Sequence, residues 1–175
     1  MKTLVDQLAN YAAYHRDTRN IVTHLFGIPM IVAAVAVLLS RPALGMAGGV
    51  ALTPALPLGV AATLYYLRLD LRLGATMGVL LALTLWLGQA LAAEPTGTWL
   101  AAGIGLFVLG WIIQFVGHAF EGRKPAFVDD VMGLAIGPLF VVAELAFYAG
   151  LRRELRDAIE RRAGPQRHGP HGARV

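Results

Sequence analysis

Between Trp99 and Gly117 the chain reads WLAAGIGLFVLGWIIQFVG, an apolar run interrupted by a single amide, Gln114. A helix needs about 20 such residues to cross about 30 Å of hydrocarbon, so this run suffices for one crossing. Four more stretches of the same character lie at Ile21–Leu39, Gly48–Leu67, Leu73–Ala93 and Val131–Gly150. Backbone in lipid satisfies its own hydrogen bonds only as helix or closed barrel, and no alternating strand pattern is present. The expected fold is an all-α, polytopic helical membrane bundle with four to five membrane segments.

Composition agrees. Of 175 residues 57% are hydrophobic and 15% charged, against about 25% charged in an ordinary soluble domain. Mean hydropathy is +0.60. Cysteine is absent, which removes disulfides, thiolate nucleophiles and Cys-ligated metals together. Seven of the fifteen cations fall after Leu151, at Arg152, Arg153, Arg156, Arg161, Arg162, Arg167 and Arg174. Beside so much apolar sequence this tail suits a lipid surface rather than nucleic acid. Residues 1–150 are expected to form one membrane-embedded domain, and 151–175 a basic, disordered tail. The N-terminal segment has Asp6 where a signal peptide would be apolar. Leu4, Leu8, Tyr11 and His15 recur at helical spacing, which predicts a short amphipathic helix from about Thr3 to His15.

Topology follows from the links. With the N-terminus in the cytoplasm, Arg68–Arg72 and Arg123-Lys124 also face the cytoplasm, in keeping with the positive-inside rule. A fifth full crossing would put the Arg-rich tail outside. The fifth stretch also holds Gly133, Gly137-Pro138 and Glu144. It is therefore expected to be broken or re-entrant, or else one other segment does not fully cross, leaving four crossings with both termini in the cytoplasm. High Ala, Arg and Gly content points to a bacterial inner membrane.

Two polar clusters interrupt this apolar chain. QFVGHAFEGRKPAF, from Gln114 to Phe127, sets Gln114, His118 and Glu121 on one face if the helix continues. His and Glu three residues apart on a bundle helix can aim two ligands at one metal, or simply mark a membrane interface. YHRDTRNIVTHLFGIP, from Tyr14 to Pro29, places His15 and His24 nine residues apart. On one unbroken helix their rings would point to opposite sides. They converge only if Asp17-Thr18-Arg19-Asn20 makes a turn and caps a new helix. The topology then sets His15, His24 and His118 at one membrane level, and three imidazoles with a carboxylate suit iron or zinc. Arg16, Arg19, Arg123 and Lys124 lie on the same side, as receivers of a substrate carboxylate or as ordinary positive-inside anchors. Glu144 would accept from a ligating His N–H or pair with Arg123 or Lys124. Asp17 is placed beside the ligands as a supporting residue. His168 and His171, in the Gly/Pro/Arg-rich end, are excluded as ligands.

YHRDTRNIVTHLFGIP, QFVGHAFEGRKPAFVDD and GPLFVVAE together resemble the yeast-type 2-hydroxy fatty acid dioxygenase family, from about Leu4 to Tyr148. The resemblance implies an Fe(II)-dependent enzyme that shortens 2-hydroxy fatty acids by one carbon with O2. Its eukaryotic members work in the endoplasmic reticulum. By matching positions it implies His15, His24 and His118 as iron ligands, with Asn20, Gln114 and Glu121 as further ligand or supporting residues. The family carboxylate often lies four residues after the His, whereas Glu121 lies three after His118. Two other readings of the same residues are a zinc-dependent membrane lipid hydrolase and a small transporter or lipid-binding bundle. The oligomeric state is not legible.

Overall fold

A computed structural model describes residues 2–167; His168, His171 and Arg174 lie outside the described residues. The described chain is mostly helical: α1 (Leu4–Ala12), α2 (Thr18–Leu39), α3 (Ala55–Leu69), α4 (Leu71–Ala92), α5 (Thr96–Glu121), α6 (Met132–Tyr148) and α7 (Arg153–Ala163). A short hairpin, β1 (Gly45–Ala47) and β2 (Val50–Leu52), follows α2, and one 3-10 turn covers Ala126–Val128. The helical class is as expected. Three helices, α2, α4 and α5, are long and apolar enough to cross a membrane, or four spans if α6 and α7 form one span bent by 118°. Large apolar side chains such as Trp86 and Leu83 on α4 and Ile104 on α5 stand exposed, as lipid-facing residues would.

Two compact units divide the chain, one of Met1–Ile28 and Ile112–Val175, the other of Pro29–Trp111. In the second unit the stretch expected to begin a membrane segment at Gly48 starts instead as a hairpin. Gly48 and Gly49 both have positive φ, 54° and 81°, the backbone that a two-residue hairpin turn requires. That turn consumes the apolar residues up to Leu52 and leaves α3 only 15 residues, about 22 Å at 1.5 Å per residue. Asp70 then ends α3 and caps α4, its Oδ1 accepting from the N–H groups of Arg72 (3.0 Å) and Leu73 (2.9 Å). Trp99 Nε1 donates to the Val37 carbonyl at 2.8 Å, tying the start of α5 to the end of α2.

The other unit is organised around α6, whose Leu139, Phe140 and Ala143 are fully buried. Helix α1 buries Leu8, Tyr11 and Ala12 and packs on α6 and α7. Its start is closed by a reciprocal cap: Asp6 N–H donates to Thr3 Oγ1, and Thr3 N–H to the Asp6 carboxylate. Within the fifth apolar stretch, α6 runs through Gly137-Pro138 without ending. A Cβ at Gly137 would lie 3.0 Å from both Tyr11 Oη and Ile28 Cδ1, so Gly137 marks a close approach of neighbours. The chain breaks later, after Tyr148, where Gly150 and Arg152 adopt positive φ.

Beyond that break, part of the stretch expected to be a disordered tail is helical. Arg153–Ala163 is a helix for local reasons that net charge hides. Leu155 and Ile159, four apart, are its buried stripe, and Arg156 pairs with Glu160 at 2.9 Å on the adjoining face. Arg161 and Arg162 lie in its last turn, where cations meet the helix dipole favourably. Arg162 also pairs with Asp6 of α1.

Candidate metal centre

Asp17 separates the two short segments that carry the first two histidines. Helix α1 ends at Ala12, residues 13–17 turn, and Asp17 Oδ1 accepts from the Arg19 N–H at 2.9 Å as α2 begins. This is the predicted bend, and it lets side chains nine residues apart meet. Helix α5 meanwhile continues without interruption to Glu121, where Gly122, at φ 68°, ends it. Gln114, His118 and Glu121 therefore share one buried face.

His15, His24 and His118 come together. Their ligand atoms all lie within 4.8 Å of one another, and all three side chains are buried. The ring centroids of His15 and His24 are 4.4 Å apart, and each lies about as close to His118, at 5.1 and 5.0 Å. Tyr11 stacks flat on His15, with centroids 4.1 Å apart and planes 8° from parallel. That aromatic support had no signal in the sequence beyond helical spacing.

The hydrogen bonds decide the tautomers. His15 Nδ1 lies 2.7 Å from the Tyr11 carbonyl, and His24 Nδ1 lies 2.9 Å from the Asn20 carbonyl. A carbonyl only accepts, so each Nδ1 carries the proton and each Nε2 presents a bare lone pair. Those two nitrogens face each other at 3.0 Å. Two acceptors at that distance repel unless a cation sits against both. A proton is disfavoured, since burial and the neighbouring His24 hold the His15 imidazole well below its ordinary pKa. A divalent ion bound about 2.1 Å from each, as zinc binds imidazole, fits the separation. His118 Nδ1 is also buried with no partner among the described residues. A buried nitrogen left unpaired is unfavourable unless something binds it. The donor set is suited to a divalent transition metal.

Glu121 takes a different place from the one expected of a ligand. Its Oε2 accepts from Arg16 N–H (3.0 Å), Asp17 N–H (2.8 Å) and Asn20 Nδ2 (3.1 Å), and its Oε1 from Arg167 at 2.5 Å. Both oxygens are committed to holding the turn between His15 and His24. Asn20 contributes its carbonyl to His24 and its amide to Glu121, while its Oδ1 has no partner. Gln114, one turn before His118, is buried with neither amide atom partnered.

The expected cations stand off from the three histidines in their own contacts. Arg19 makes two bonds to Asp17 and lies over Phe120. Arg123 donates to the Ala13 carbonyl at 3.1 Å, and Lys124 pairs with Asp129 at 2.5 Å. Glu144 accepts from Gln166 Nε2 at 2.9 Å rather than from a histidine, Arg123 or Lys124. Arg167 is the contributor that sequence reasoning missed. Its signal was indirect: a Glu in an apolar helix demands a cation.

Three buried imidazoles converge where α5 and α2 meet a polar turn, and such a group could hold a metal ion. The chain belongs to the Mpo1-like family: the family model described as 2-hydroxy-palmitic acid dioxygenase Mpo1-like matches residues 1–149. It is similar to 2-hydroxy-palmitic acid dioxygenase MPO1 of Saccharomyces cerevisiae, 34% identical over 159 residues, which covers 90% of this chain and 87% of the relative. No solved structure matches it. The family expected from the motifs is the family found.

Proposed function

We propose that the chain is a membrane-embedded, Fe(II)-dependent dioxygenase that converts 2-hydroxy fatty acids to acids one carbon shorter with O2. The observation that carries this reading is the pair of bare Nε2 atoms of His15 and His24 at 3.0 Å, with the unpartnered His118 beside them. The yeast relative, named for 2-hydroxy-palmitic acid, supports the substrate class. His15, His24 and His118 would hold the iron, which when bound supplies redox chemistry with O2 and a Lewis acid for the hydroxy acid.

The remaining work falls to the chain. The Tyr11 and Asn20 carbonyls fix both Nδ1 protons and so keep both Nε2 atoms available. Tyr11 and Phe140 wall the rings with aromatic surface, which keeps water away. Gln114 offers an amide donor and acceptor for the substrate's hydroxyl or carboxylate. Arg123, whose described partner is one carbonyl, retains donors for a carboxylate arriving from the polar side. The alkyl chain stays in lipid. The assignment to a bacterial inner membrane rests on composition alone, and the cytoplasmic placement of the site on the positive-inside rule alone.

Metal analysis of protein purified without oxygen, followed by O2 consumption with 2-hydroxypalmitate, tests the reading. Stoichiometric iron and substrate-dependent O2 uptake are expected, both abolished by His118→Ala. Full turnover of that variant would refute it.

A further inference from the structure

The segment after α7 is fastened to the turn between His15 and His24 at Gly164 and at Arg167. Arg167 N–H donates to the Arg16 carbonyl at 2.7 Å, and the Arg167 carbonyl accepts from Thr18 N–H at 3.0 Å. Arg16 reaches back from the other side, its guanidinium donating to the Gly164 carbonyl at 2.7 Å. Gln166 holds Glu144. Gly164, Gln166 and Arg167 all lie outside residues 1–149, the part that matches the family model.

Arg167 also carries a charge to the right place. The Glu121 side chain is fully buried, and a buried carboxylate is costly without a counter-charge and hydrogen bonds. Its three N–H donors supply bonds, and Arg167 supplies the cation. The guanidinium of Arg16 is spent instead on the carbonyls of Ala12, His15 and Gly164. Glu121, so held, fixes the backbone of Arg16 and Asp17 and the amide of Asn20, and these sit directly beside the two histidines. A shift of this turn moves His15 relative to His24.

We propose that Arg167 is a positioning residue for the three-histidine centre, acting through Glu121. The proposal rests on the metal reading above. Its side chain is about half exposed, so replacing it opens no cavity in the core.

Cobalt(II) binding to the full-length, detergent-solubilised chain tests this, read by chelator competition and by the visible absorption of the bound ion. Arg167→Ala should weaken binding about 10- to 100-fold, the usual cost of losing a residue that orients ligands, and should alter the visible bands. Arg167→Lys, which keeps the charge without the two-pronged geometry, should fall between parent and alanine variant. Glu121→Gln should weaken binding too, and adding Arg167→Ala to it should do little more. Parent affinity and spectrum in Arg167→Ala, or an equal further loss in the Glu121→Gln background, would overturn the proposal. If the alanine variant does not fold, Arg167→Gln is read the same way. His118→Ala separates the two failures: if it binds cobalt as the parent does, the metal reading itself is wrong.

Discussion

Nε2 of His15 faces Nε2 of His24 across 3.0 Å although the two residues are nine apart in the chain. The turn at residues 13–17 makes the meeting possible, and the two backbone carbonyls behind the rings make it chemically pointed. Each ring is oriented before any ion arrives, so little ordering remains to be done on binding.

The unpartnered amide of Gln114 yields a prediction about substrate rather than metal. Gln114→Leu removes the polar atoms while keeping bulk, and relieves their burial. It should leave iron content unchanged and lower kcat/KM for a 2-hydroxy acid about 10-fold, the worth of one hydrogen bond to a charged group. Unchanged kcat/KM would show that Gln114 does not meet the substrate.

Gly117 marks a close approach of α5 to α2. A Cβ there would lie 2.0 Å from Thr23 Oγ1 and 2.6 Å from Asn20 Oδ1. Gly117→Ala should therefore push the helices apart, destabilising the protein by about 1–3 kcal/mol and weakening metal binding together. Thermal unfolding in detergent and cobalt titration check both parts; a variant as stable as the parent would contradict the close approach.

Acid should loosen the start of α1. The Thr3 backbone and hydroxyl, then Arg162, hold the Asp6 carboxyl down at about 2 from its ordinary 3.8. A depressed carboxyl contributes stability that is present above pH 3.8 and lost as pH falls through about 2. The stability gap between the parent chain and Asp6→Asn should thus narrow between pH 4 and pH 2, followed by circular dichroism. A gap that stays constant over that range would exclude a role for the Asp6 charge.

The histidines were legible because the chemistry of lipid makes polar residues conspicuous. In a run as apolar as Trp99–Gly117, one helical face carrying Gln114, His118 and Glu121 has few explanations. The bend at Asp17 was legible through its capping residues. The hairpin was not, because Gly48-Gly49 inside an apolar stretch reads equally as a helix-packing pair, and its turn depends on two positive φ values. Helix α7 was obscured by seven arginines, whose net charge outweighed the Leu155–Ile159 stripe. The role of Glu121, ligand or supporting residue, stayed open in the sequence for a more general reason. Spacing tells which face a carboxylate occupies, whereas its role depends on the donors that reach it from elsewhere in the chain.

The clamp on Glu121 also bears on the order in which the protein is made. His118 leaves the ribosome some ninety residues after His24, and Arg167 about fifty residues after that. A growing chain cannot bring the three histidines and the clamp on Glu121 together until α5 has been inserted and the segment after α7 has docked.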